Sequence, residues 1–411
     1  VTPALQGNAA IAAEWRPKLE SLAYDPRFVP AAHKGGVTMG MGMTEKQGGS
    51  DVRANTTRAV REGRDGWGER YAITGHKWFF SAPMCDAFLV LAQADAGLSC
   101  FFLPRWRPDG SVNAIQIQRL KDKLGNKANA SSEVEFHEAS AWLVGEEGRG
   151  VPQILEMGNV TRLDCALGTA GLMRQALSLA LHHTAQRKAF GKLLIDQPAM
   201  KNVLADLALE SEAATALALR LAHAYDKPAS EHEAAVRRLL TPVAKFWICK
   251  RGSHLAQEAM ECLGGNGYVE EHGEGTMARI YREMPLNSIW EGAGNIMALD
   301  LLRALRKGGA IAEALVAELT PARGANAAFD RFAAALPGRI DEASAETDAR
   351  RLAQDVALAV QAALLRQHAP DFVFDAFCRS RLAGDWGQAF GTLPSNVDFD
   401  AIVARAMPTN H

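Results

Sequence analysis

Two textures of hydrophobic and polar positions divide the chain. From Val37 to Trp142 the apolar residues come in short runs, over 37–44, 55–60, 71–74, 77–80, 87–92, 99–104, 114–120 and 134–142. Some alternate with polar residues and some are briefly continuous, as strands do. Gly63-Arg64-Asp65-Gly66, Asp95-Ala96-Gly97, Pro108-Asp109-Gly110 and Gly125-Asn126 punctuate them as turns. This spacing predicts an antiparallel β-barrel or sandwich of roughly 100 residues. After Gly148-Arg149-Gly150 the period becomes helical and predicts helices near 151–186, 198–226, 231–263 and 294–307. Helices about 30 residues long with one apolar face indicate a bundle. Further helices are expected near 311–319, 325–336, 343–368 and 372–383, and one near 9–22 ahead of the strands. The fold class is therefore α+β, mainly α. Four segments are expected: 1–36, a β-domain over 37–150, a helical bundle over 151–308 and an extra helical domain over 309–411.

Composition narrows the picture. A chain of 411 residues is too long for one small core. With 48% hydrophobic and 22% charged residues it reads as a soluble globular protein. Charges break every apolar run well short of the ~18 residues a membrane span needs, so no membrane partner is expected. Six scattered cysteines without a C-x-x-C pair read as reduced thiols of a cytoplasmic protein. No secretory signal is visible, and the opening residue Val1 implies residues upstream of it. The net charge of −2 argues for no nucleic-acid or acidic partner. Over 311–411 nine arginines and no lysine face thirteen acidic residues, a balance of 9 − 13 = −4, whereas duplex binding favours a basic excess. Whether Arg350, Arg351, Arg366, Arg379 and Arg381 share one face is left open by the sequence.

Four stretches carry candidate chemistry. Ser288-Ile289-Trp290-Glu291-Gly292-Ala293-Gly294-Asn295 places one carboxylate before a Gly-x-Gly helix start. Such a start can cradle an anion on its backbone N–H groups, and the carboxylate can serve as a base. An ordinary capped helix with an acidic first turn explains the stretch equally well. Thr44-Glu45-Lys46-Gln47-Gly48-Gly49-Ser50 offers backbone and hydroxyl donors at a strand end. Lys77-Trp78-Phe79-Phe80-Ser81 sets aromatics beside a hydroxyl, wide enough to cover a planar ring. Arg187 to Lys192 forms a basic turn, and Gly264-Gly265-Asn266-Gly267-Tyr268 a glycine-rich helix end. His182-His183 and the run Glu270-Glu271-His272-Gly273-Glu274 read as exposed surface, and no metal is expected.

Together these stretches resemble the acyl-CoA dehydrogenase flavoprotein family. The order Met-Thr-Glu-x-x-x-Gly-Ser-Asp, an aromatic strand ending in a hydroxyl, Arg-x-x-Phe-Gly, Gly-Gly-Asn-Gly-Tyr and aromatic-Glu-Gly matches it over residues 37–307. The wording MGMTEKQGGSDV, HKWFFS, LKDKLGN and YREMPLNSIWEGAGNIM, with the added C-terminal segment, resembles one bacterial branch. That branch consists of adaptive-response flavoproteins associated with alkylation damage to DNA. The resemblance implies FAD held between a β-domain and helices of two subunits, in a homotetramer built as a dimer of dimers. It implies that Met41, Met43, Thr44, Gly49 and Ser50 line the flavin and its pyrophosphate. Phe79, Phe80 and Ser81 would stack on and bond the flavin, with Phe79 and Ser81 standing where the family has Trp and Thr. Arg187, Phe190, Gly264 and Gly265 would reach a neighbouring subunit's FAD. Trp290, Gly292 and Asn295 would complete the site, and Arg303 would lie buried near the flavin. Glu291 aligns with the catalytic base and Arg162 with an active-site arginine. Glu261 and Asn295 each stand where the family has Gln. Only about 37 residues precede the first strand, where the family has a helical domain of about 100, so 1–36 reads as its remnant.

Three functions follow as alternatives. The first is an FAD protein of the alkylation response that binds double-stranded DNA and keeps weak dehydrogenase chemistry. The second is a working dehydrogenase of short or branched acyl-CoA substrates. The third is a scaffold in which FAD stabilises the fold by mass action.

Overall fold

The computed structural model describes residues 1–226, 230–270, 276–307, 309–343, 345–384 and 387–408. They fall into two compact units, Val1–Val160 and Thr161–His411.

In the first unit seven strands follow two short helices, α1 (Thr2–Leu5) and α2 (Ala9–Leu19). The strands are β1 (Met39–Gly42), β2 (Arg58–Asp65), β3 (Gly68–Ser81), β4 (Ala87–Ala94), β5 (Gly97–Pro104), β6 (Ile115–Leu120) and β7 (Ser131–Val144). Pairing runs β3–β2–β4–β5–β7 and back to β3, which closes the sheet into a barrel. The ladders are antiparallel except for β1–β4 and β2–β4, which are parallel. Runs 71–74 and 77–80, read as two strands, are one strand of 14 residues. Gly75 between them pairs with Phe136 of β7 beside a register shift, in a place too close-packed for a side chain. A Cβ on it would sit 2.6 Å from Thr57 Oγ1.

β4 explains the unbroken apolar run Phe88–Ala92, because both its faces are buried. Phe88 and Val90 face the barrel interior with Phe80, Phe101 and Phe136. Leu89 and Leu91 face the outer layer, where Leu5, Ile11 and Trp15 of α1 and α2 cover Phe102 and Trp142. Glycines 40 and 42 let β1 approach: a Cβ on Gly42 would meet the Phe80 ring at 2.5 Å.

Beside β3 lies a buried ion pair, Lys77 Nζ to Glu45 Oε1 at 2.7 Å, with both side chains shielded from solvent. Lys77 also donates to the Leu91 carbonyl, and Glu45 accepts from the Thr56 N–H, the Thr56 hydroxyl and the Thr57 N–H. Burial pushes Lys77 down to about 8. Burial also opposes the Glu45 charge, but Lys77 and these donors outweigh it and hold the carboxyl down to about 2.

The second unit is helical. Its members are α3 (Gly150–Gln186), which begins in the first unit, α4 (Pro198–Asp226), α5 (Glu231–Cys262), α6 (Gly265–Tyr268), α7 (Thr276–Asn287) and α8 (Gly294–Lys307). Then follow α9 (Gly309–Leu319), α10 (Ala327–Glu342), α11 (Ala349–His368), α12 (Asp371–Phe377) and α13 (Phe399–Ala406). One apolar core runs from Leu163 to Val403 and takes in both the long helices and the C-terminal ones. The expected helix over 343–368 begins only at Ala349, after α10 has ended at Glu342. Apart from the single-turn helix α6, α7 and α13 of this unit were not legible as helices. α7 hides behind Tyr281-Arg282-Glu283 and carries Pro285, yet Met277, Ile280 and Met284 bury one stripe of it. α13 is a single apolar face, Ile402 and Val403, in a polar tail.

Candidate functional site

α7 stops at Asn287 and α8 starts at Gly294, and the link between them holds the lone carboxylate. Glu291 sits at φ +57° and Gly292 at φ +103°. The first is a left-handed, strained position for a side chain-bearing residue. The second requires glycine on space as well, since a Cβ there would lie 2.5 Å from Met297 Cε.

Several groups converge on this corner. The Thr161 hydroxyl donates to Glu291 Oε2 at 2.8 Å. Arg162 Nε donates to the Glu291 carbonyl at 3.0 Å. Lys245, 1% exposed on α5, donates to the carbonyls of Gly292 at 2.7 Å and Asn287 at 3.0 Å. The Trp290 indole N–H donates to Asn287 Oδ1 at 3.0 Å, and the Asn287 amide donates to Thr169 Oγ1 at 2.9 Å. Asp300 lies 3.8 Å from Arg162 and pairs with Arg238 at 2.8 Å. Burial raises the Glu291 carboxyl above its ordinary value, and Thr161, Arg162 and Lys245 offset part of that rise. The result is a half-buried carboxylate of raised proton affinity, bonded by Thr161 and set on a backbone held at the Glu291 carbonyl by Arg162 and at the Gly292 carbonyl by Lys245. That is the equipment of a general base.

Sequence reasoning brought Glu291 and Arg162 to this corner but missed Thr161, Lys245 and Asp300. Lys245 left a trace, as the lone cation inside the apolar run Leu239–Cys249. Asn295 is exposed at the start of α8, and its Oδ1 accepts from Arg350 at 2.8 Å. Met297, Ala298, Leu301 and Leu302 form the buried stripe of α8, and position 303 falls on the exposed side.

The barrel unit carries the other candidates. Trp78 N–H donates to the Thr44 carbonyl at 2.8 Å, which joins the Thr44 loop to the aromatic strand. Gly49 packs on Thr44, whose Oγ1 would lie 2.6 Å from a Cβ at 49, and Ser50 beside it is exposed. Met41 and Met43 are half-buried on the outer face of the barrel. Phe79 is 48% exposed, with Lys121 Nζ 4.8 Å from its ring centroid. Phe80 corrects the expectation that it stacks on flavin. It is 0% exposed, inside the barrel, with its ring 4.2 Å from Phe88. Side chains alternate along a strand, so 79 and 81 share the outward face while 80 points into the core. The Thr44 carbonyl, which accepts from Trp78 N–H, ties the Thr44 loop to the strand that carries Phe79 and Ser81.

The remaining candidates stand open to solvent. Phe190 is 99% exposed at φ +51° in the turn after Arg187, which is exposed too. Gly264, at φ +60°, and Gly265 have open space where a Cβ would be. Residues 271–274 of the acidic-histidine run lie outside the described residues. Among the described residues no group of three or more His, Cys, Asp or Glu side chains is arranged to hold a metal ion. All six cysteines are buried thiols. No described helix is long and apolar enough to cross a membrane.

Comparison with known proteins bears on this geometry. The family profile described as acyl-CoA dehydrogenase, middle domain, matches residues 40–139, and that described as acyl-CoA dehydrogenase, C-terminal domain, matches residues 148–306. The acyl-CoA dehydrogenase-type protein AidB of Escherichia coli is 50% identical over 369 residues, covering 90% of this chain and 67% of that protein. Acyl-CoA dehydrogenase family member 11 of Caenorhabditis elegans is 35% identical over 281 residues, covering 65% of this chain but 44% of its own length. Among solved structures, the apo form of Bd2924 aligns with a TM-score of 0.80 at 32% identity, over 90% of this chain and 73% of that one. The C. elegans protein ACDH-11, solved in complex with C11-CoA, aligns with a TM-score of 0.74 at 28% identity, over 92% of this chain and 66% of that one.

Proposed function

From the premise that the chain belongs to the acyl-CoA dehydrogenase family, we propose that it is an FAD-dependent oxidoreductase of acyl-CoA thioesters, with Glu291 as the base. The observation that carries this reading is the half-buried carboxylate of Glu291, raised in proton affinity, bonded by Thr161 and set on a backbone that Arg162 and Lys245 hold. An α-proton next to a thioester is a weak acid, so a desolvated carboxylate is suited to taking it. Glu291 takes that proton while the Thr161 hydroxyl orients the carboxylate through Oε2. Arg162 and Lys245 keep the carboxylate aimed by holding the carbonyl of Glu291 and that of Gly292 after it. FAD, when bound, supplies the acceptor for the β-hydride. The exposed Phe79, Thr44 and Ser81 surface would hold its ring, and Gly49 and Ser50 its phosphates. Arg187, Phe190, Gly264 and Gly265, all open to solvent or free of close neighbours, would serve the FAD of another subunit in a homotetramer. A solved acyl-CoA dehydrogenase of Bacillus anthracis complexed with FAD shares the fold, with a TM-score of 0.66 at 17% identity.

The test is anaerobic mixing of the flavin-loaded protein with short, branched and long acyl-CoA thioesters. Flavin absorbance is expected to bleach. The bleaching rate is expected to rise with pH as Glu291 loses its proton, over a range above the ordinary 4.5 because burial raises that group. Absence of bleaching with every thioester overturns the reading.

A second reading, which follows from the resemblance to the alkylation-response branch, gives residues 309–411 a role on double-stranded DNA. The arginines there lend it little support. Arg381 is buried against Asp206 and Glu210, Arg351 pairs with Asp355, Arg366 with Asp371, and Arg350 donates to Asn295. A salt-sensitive mobility shift at low ionic strength is the expected result under this reading. Its absence removes the DNA partner.

A further inference from the structure

We propose that Lys245 is a positioning residue that ties the end of α7 to the Glu291–Gly292 corner and so keeps the base in its left-handed conformation. The inference rests on the dehydrogenase reading for its catalytic consequence, but its geometry stands alone. A non-glycine residue at positive φ does not hold itself there, and the neighbouring structure must over-determine it. Here the φ +57° of Glu291 is followed at once by φ +103° at Gly292, so two successive residues depart from ordinary backbone. The Gly292 carbonyl, on the far side of the base, accepts from Lys245 Nζ at 2.7 Å. The same ammonium reaches back to the Asn287 carbonyl, the last of α7, at 3.0 Å. One cation therefore spans residues 287–292 and closes them into a loop on a rigid helix. Arg162 holds the intervening Glu291 carbonyl at 3.0 Å.

The surroundings of Lys245 fit this role. It lies in the fully buried stretch of α5, with Thr241 one turn before it and Cys249 one turn after. A lysine so buried is costly unless its N–H groups find acceptors. Its acceptors are the carbonyl that ends α7, at Asn287, and the Gly292 carbonyl ahead of α8, and among the described residues no carboxylate pairs with it. The ammonium is thus spent on backbone position rather than on neutralising a paired acid. The inside of a helix end offers carbonyls that have no intrahelical partner, and Lys245 satisfies the one at Asn287.

Lys245→Met tests the proposal, since it keeps side-chain length and removes every donor. The first readout is amide hydrogen exchange in the flavin-loaded protein, with or without any acyl-CoA. The amides of Ile289 and Trp290, both bonded to the Leu286 carbonyl, are expected to exchange at least about tenfold faster. Those of α4 are expected to keep their wild-type rates. Unchanged exchange at Ile289 and Trp290, or a uniform rise across α4 and α5, overturns the proposal. The second readout is flavin reduction, where the limiting rate is expected to fall about tenfold or more while the half-saturating acyl-CoA concentration stays within about twofold. A change confined to half-saturation overturns the catalytic part. Where K245M does not fold, Lys245→Gln, which retains an amide donor, gives the same comparison with a smaller expected loss. If wild-type flavin is reduced by no thioester, the dehydrogenase reading fails, and the exchange data still decide the anchoring role.

Discussion

Two adjacent phenylalanines show how much one residue of strand register decides. Phe79 and Phe80 are chemically alike, but 48% of Phe79 is exposed and none of Phe80 is. Phe80→Ala removes a ring packed on Phe88 and Phe136 and is expected to cost about 3–5 kcal/mol in denaturant unfolding. Phe79→Ala is expected to cost under about 1 kcal/mol and to shift the absorbance of bound flavin. The reverse pattern would contradict the assignment of faces. The same strand carries Lys77, whose removal would strand Glu45 as a buried charge. Lys77→Met is expected to destabilise the protein by about 3–5 kcal/mol, and the double variant Lys77→Met/Glu45→Gln by less. The sign of the pH effect follows from Glu45. Its folded carboxyl is held at about 2, below the ordinary 4.5, so its stabilisation is present above 4.5 and is lost as pH falls toward 2. Acid unfolding monitored by circular dichroism is expected to move to higher pH in Lys77→Met. No movement would show that the pair does not govern acid stability.

At the scale of elements, strand and helix periods were legible wherever one face is buried and the other wet. Helices α4 and α8 occupy the ranges that their periodicity predicts, 198–226 and 294–307. The period fails where tertiary packing overrides local signals. Gly75 falls between two runs read as separate strands but lies within β3, beside a register shift against β7, and Thr57 leaves no room for a side chain there. α7 reads as a polar link because Arg279, Arg282, Glu283 and Asn287 interrupt its apolar stripe, and Pro285 near its end suggests a stop. For the site, the glycine and carboxylate motifs were legible as wording, since their residue types are unusual in those positions. The groups that hold Glu291 were not. Thr161 and Lys245 come from α3 and α5, 130 and 46 positions away along the chain, and no local pattern records that convergence.

At the scale of the whole molecule, each unit has its own organisation. The barrel unit buries both faces of β4, with α1 and α2 supplying the outer layer. In the helical unit a single core runs through to Val403, and α11 is buried along most of its length. Trp247 of α5 donates to Gln361 of α11 at 3.1 Å, and Arg381 reaches into α4. Removing residues 309–411 is therefore expected to expose the apolar faces of α4, α5 and α8. Aggregation, or loss of cooperative thermal unfolding, is the expected outcome by light scattering and circular dichroism. A soluble truncated protein with an unchanged melting temperature would contradict the single-core description. The central claim concerns one carboxylate, and Glu291→Gln tests it most directly because it keeps shape and removes the base. Flavin absorbance is followed after anaerobic mixing of wild type and E291Q with the best acyl-CoA thioester. The account predicts that wild-type flavin bleaches while E291Q keeps its oxidised spectrum, with flavin content equal in both. Bleaching that persists in E291Q would contradict it.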